Sequence, residues 1–137
     1  MPNLKALICS EGVSVDIATK QLSIFNIFEQ IGAIQFPVLI GNLCVVGIVE
    51  KTVDDKIVYD GSLIIKNNGV DITRTAFKVD FKTGTTNRSI SKIQGIAVQS
   101  PGALDINFEL DGKTVGNTRI EITLATQENI KSMNIDI

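Results

Sequence analysis

The chain has no histidine and no tryptophan, a single tyrosine, two cysteines and three prolines in 137 residues. Each shortage closes a route to function. Without histidine the commonest general base, the commonest transition-metal ligand and every Ser-His or Cys-His nucleophile pair are gone. The two cysteines, Cys9 and Cys44, cannot form a tetrahedral zinc site unless carboxylates complete the set, and their spacing matches no zinc pattern. Neither stands beside a basic residue, so nothing in the sequence activates a thiolate, and both fall in apolar runs where a free thiol behaves as a small buried hydrophobe. With Tyr59 as the one aromatic beyond six phenylalanines, an exposed platform for sugars is disfavoured.

Strong charge of one sign is missing too. Thirteen basic against fifteen acidic residues leave a net charge of −2, which offers no field to neutralise phosphates or to seek an anionic bilayer. Neither nucleic acid nor membrane is expected as a partner. Arg74, Lys78 and Lys82 recur at strand spacing and read as a solvated face. No glycine-rich loop precedes a helix pattern, so a phosphate cradle is not expected, and no apolar run approaches a membrane span. The opening Met1-Pro2-Asn3-Leu4-Lys5 lacks the features of a secretory signal. A cytoplasmic setting with free thiols and no disulfide is the expectation.

What the sequence does contain is alternation with a period of two, in a chain 44% hydrophobic and 20% charged. From Thr73 to Lys82 the set Thr73, Thr75, Phe77, Val79 and Phe81 faces inward between polar neighbours. Leu104, Ile106, Phe108 and Leu110 repeat the pattern, and Asp111-Gly112 turns the chain back towards Val115, Ile120, Ile122 and Leu124. Further strands are expected near residues 4–10, 21–28, 43–52, 57–66 and 88–98, punctuated by Glu11-Gly12, Asp54-Asp55, Asn67-Asn68-Gly69, Thr83-Gly84 and Ser100-Pro101-Gly102. A bulge at Gly95 would explain why Ile93 and Ile96 fall out of phase. About eight strands at this spacing predict an all-β, immunoglobulin-like antiparallel β-sandwich over residues 1–125, followed by a more polar tail, 126–137, in which Ile130, Met133, Ile135 and Ile137 could dock.

Two strands carry apolar residues on both sides, Leu22–Phe28 and Leu43–Val49. In a two-layer sandwich something must cover the outer face of such strands. The apolar loop Glu29–Asn42 is the first expectation for that cover, and a second subunit is the alternative. Phe25, Ile27, Cys44, Val46 and Ile48 are the interface candidates. Asp54 and Asp55, with Asp60 further on, raise a competing reading as loop ligands for calcium, although aspartate favours turns for backbone reasons alone. Asn87-Arg88-Ser89 matches a glycosylation sequon, which matters only in a secreted eukaryotic protein.

The run Pro2-Asn3-Leu4-Lys5-Ala6-Leu7-Ile8-Cys9, then Leu22 to Phe28, Phe36-Pro37, Leu43-Cys44-Val45-Val46 and the closing Pro101-Gly102 through Asp111-Gly112 resembles a bacterial family of small proteins of uncharacterised function. The resemblance covers most of the chain up to Leu124 and implies a small intracellular immunoglobulin-like sandwich, with no functional residues to carry over. The expected role is a non-catalytic interaction or structural module without a cofactor. It would bind a protein partner or a second copy of itself.

Overall fold

The computed structural model describes residues 1–125 and is all β. The tail expected to dock lies outside the described residues. Nine strands form among them: β1 (Asn3–Val15), β2 (Leu22–Ile27), β3 (Gln30–Ala33), β4 (Val38–Glu50), β5 (Val58–Asn67), β6 (Val70–Asp80), β7 (Thr86–Val98), β8 (Gly102–Leu110) and β9 (Lys113–Leu124). They make two sheets, one ordered β2-β1-β4-β7 and the other β3-β9-β8-β5-β6. The sandwich expected from the alternation is present. Its extra strand, β3, lies within the segment read as a loop, and it pairs parallel to β9.

The core is where the alternation put it. Val79 of β6, Phe81 just beyond it, and Leu104, Ile106, Phe108 and Leu110 of β8 are buried opposite Leu43, Val45 and Val49 of β4. Gly47 completes that inner row because the Phe108 ring takes its place: a Cβ there would lie 2.5 Å from Phe108 Cε2. Phe108 also packs on Phe77, ring centroids 5.5 Å apart. Two hairpins form on asparagine or aspartate followed by glycine with positive φ at both residues, Asn68-Gly69 and Asp111-Gly112, as the twist of an antiparallel pair requires.

One turn is anchored from inside. The buried Asn67 side chain donates to the carbonyls of Ser100 and Ala103 and accepts from the amides of Gln99 and Ser100. A single amide thereby clips the β7–β8 connection onto β5.

The expected bulge at Gly95 is corrected. The β4–β7 ladder runs without a register shift from Val38↔Val98 to Glu50↔Thr86. Ile40 and Leu43 both reach the core on β4, while Ile96 is buried and Ile93 packs against the core on β7. Both strands therefore change phase at the same level, around Gly41 and the left-handed Gly95 (φ 72), and the pairing stays in step.

Candidate interaction arm

Strand β1 has two partners in succession. Residues Asn3 to Ser10 pair with β4, whereas Ser10 to Val15 pair with β2. Glu11-Gly12, read in the sequence as the end of a strand, is instead the place where β1 parts from β4, and Ser10 Oγ donates to Gly12 O across that bend. Beyond it β1 and β2 form a two-stranded arm. Its tip is closed by Asp16, whose carboxylate accepts from the amides of Ala18 and Thr19, and those amides hold the carboxyl below its usual range.

The arm folds back over the sheet. Arg88 of β7 donates from Nη2 to the carbonyl of Lys20 in the arm tip, 3.1 Å away. Because β7 and β1 flank β4 on opposite sides, this bond places the tip across β4's outer face. The root agrees, since Glu11, Gly12 and Val13 line a narrow cleft with Asn42, Leu43, Cys44, Lys92, Ile93 and Gln94. Arg88 stands level with Ile48, and Lys92 with Cys44. The arm thus runs along Cys44, Val46 and Ile48.

The expected interface residues are consequently divided. Val46 is 0% exposed, Cys44 is buried and Ile48 is half-buried, whereas Phe25 and Ile27 on the arm are 51% and 53% exposed. The loop Glu29–Asn42 is not the cover: Ile31, Phe36 and Val38 pack against the core, and Ile40 belongs to it. Beside the arm root, Glu11, Phe28, Ile31, Val38 and Leu39 border an open cleft of about 450 Å³. Phe25, Ile27 and the border of this cleft are exposed apolar surface on and beside the arm.

The other sheet presents a different exterior. Its outward side chains pair by charge across strands, Arg119 with Asp105 at 2.8 Å and Lys78 with Asp60. Arg74, Lys78 and Lys82 are exposed there. That face suits water.

Few groups show altered acidity. Burial pushes the Cys9 thiol up to about 12. Cys9 faces the core opposite Val45, while Cys44 lies one step away on β4 and on the opposite face, with Sγ 3.7 Å from Glu11 O. Their strands are neighbours, yet the two free thiols point apart. Of the three aspartates read as loop ligands for calcium, two are engaged, while Asp54 is exposed. Asp55 accepts from the Met1 amino group and from the Thr52 amide, which keep it below the usual carboxylate range, and Asp60 is taken by Lys78. Among the described residues no three His, Cys, Asp or Glu side chains are grouped to hold a metal ion. Asn87 of the sequon donates its side-chain amide to Asp80 O.

The chain belongs to a family of unknown function, DUF6941, whose model matches residues 5–123. No curated protein matches it. Among solved structures it is similar to an alkylpurine DNA glycosylase, AlkC, from Pseudomonas fluorescens, bound to DNA containing an abasic site analog. The identity is 12% and the TM-score 0.47, over 85% of this chain and 30% of that one. The present chain therefore spans under a third of that protein's length.

Proposed function

We propose that this member of a family of unknown function is a non-catalytic interaction module, which meets a protein partner through the outward side of the β1–β2 arm. One observation carries the reading: Phe25 and Ile27 stand more than half exposed on a ribbon that has already covered the sheet's own apolar face. Two large apolar side chains serve no packing need of the folded chain there. The absence of histidine and the confinement of the one strongly shifted group, Cys9, to the core both favour binding over catalysis.

The sandwich itself reads as immunoglobulin-like. Taking β4, β5, β6, β7, β8 and β9 as strands B, C, C′, E, F and G reproduces the B–E neighbours and the C′-C-F-G order of that fold. The fold says nothing of the partner. A cytoplasmic setting suits a chain that carries two thiols and needs no disulfide.

A photo-crosslinking side chain placed at Phe25, compared with one at the exposed Thr114 on β9, tests the interaction in living cells. Adducts at position 25 and not at 114 are expected. Equal labelling at both, or none at either, contradicts the proposal.

A further inference from the structure

Sheet edges are where β proteins guard against pairing with other chains, using charge, shortness, proline or irregular backbone. Among the described residues four strands stand outermost in the two sheet orders, β2, β7, β3 and β6. Three are guarded. Strand β7 carries Arg88 and Lys92 with the left-handed Gly95, β6 carries Asp71, Arg74, Lys78 and Asp80, and β3 is only four residues long. Strand β2, Leu22-Ser23-Ile24-Phe25-Asn26-Ile27, has one left-handed residue, Asn26 (φ 57), near its C-terminal end but no charge and no proline, and it pairs on one side alone.

The charges flanking β2 indicate what fits beside it. Lys20 precedes the strand and Glu29 follows it, and both are exposed. If a second β2 runs antiparallel alongside, Lys20 of each copy comes near Glu29 of the other; in a parallel arrangement each would meet its like. A two-fold interface also sets a strand against itself, so a charge near its middle would face the same charge. None is present. Deepening the interaction reading above, on which it rests, we propose that the partner is a second copy of this chain, joined β2 to β2 and antiparallel about a two-fold axis near Ile24 and Phe25.

Two six-residue strands bury less than a standard stable interface, so association in the range of roughly 1 μM to 1 mM is the window to examine. Sedimentation of the full chain across that window should show the mass rising from 14.8 kDa towards twice that value. Amide exchange should slow in Leu22–Ile27 as concentration rises. Ile27→Lys and Lys20→Glu should each weaken association tenfold or more, and combining Lys20→Glu with Glu29→Lys should restore it. Val70→Lys on the β6 edge should change nothing, and thermal melts confirm that each variant folds. A monomer throughout the series, no rescue by the charge swap, or equal loss with Val70→Lys overturns the dimer. If a monomeric chain still gives Phe25 adducts with another protein, the dimer falls and the broader reading stands.

Discussion

Asn67 and Cys9 show how a single side chain can be committed to the interior by different physics. Asn67 is buried with both its amide hydrogens and its oxygen engaged, so truncating it strands the backbone groups of the β7–β8 connection without partners. Asn67→Ala should cost about 2–3 kcal/mol of stability, read from chemical denaturation. A loss under about 0.5 kcal/mol would mean that water replaces the side chain. Cys9 is committed by desolvation. Its folded pKa is raised to about 12 from 9.0, so its contribution is fully present below pH 9. Between pH 9 and 12 the unfolded chain releases this proton and the folded chain holds it, and stability falls as pH rises. Cys9→Ala should flatten that alkaline decline by about 1 kcal/mol per pH unit. An unchanged slope would show that other groups control it.

Among the elements, the arm has the most local freedom and the clearest handle. Arg88 is exposed, so its bond to Lys20 O is worth about 1 kcal/mol, and removing it should populate the lifted arm roughly fivefold more. Cys44 lies beneath the arm and reports on it directly. Arg88→Ala should therefore speed modification of Cys44 by a maleimide in proportion, with Cys9 still silent until the whole domain unfolds. Equal rates in both proteins would mean that the tip bond does not hold the arm down.

The same elements show what could be read from the sequence alone. Strands such as β6 and β8 were legible because each buries one face, and burial of one face leaves an alternating record in the chain. Strand β3 left none: Gln-Ile-Gly-Ala is too short to alternate, and its pairing depends on β9, more than eighty residues later in the sequence. The doubled apolar character of β4 correctly announced a covered outer face. Alternation carries no information about which strand lies beside which, so it could not reveal that β1 changes partner at Ser10 and brings its own cover. The nearby loop was the local choice, but Ile31, Phe36, Val38 and Ile40 are used in the core and Ile34 and Leu39 are exposed.

At the scale of the whole molecule, one exterior is wet and charged, and the other is apolar and sealed by the chain itself. The seal is imperfect in a consistent way, because the ribbon that buries Val46 must expose an outward side of its own, which bears Phe25 and Ile27. The interaction surface exists only while the arm lies folded across β4. Spin labels at Ile17 in the arm tip and at Thr86 on β7, in a Cys9→Ala, Cys44→Ala background, measure that directly. The account predicts a single narrow separation of no more than about 20 Å. An arm projecting away from the sheet would place the labels roughly 30 Å or more apart, at about 3.3 Å per strand residue, and a distribution centred there would contradict it.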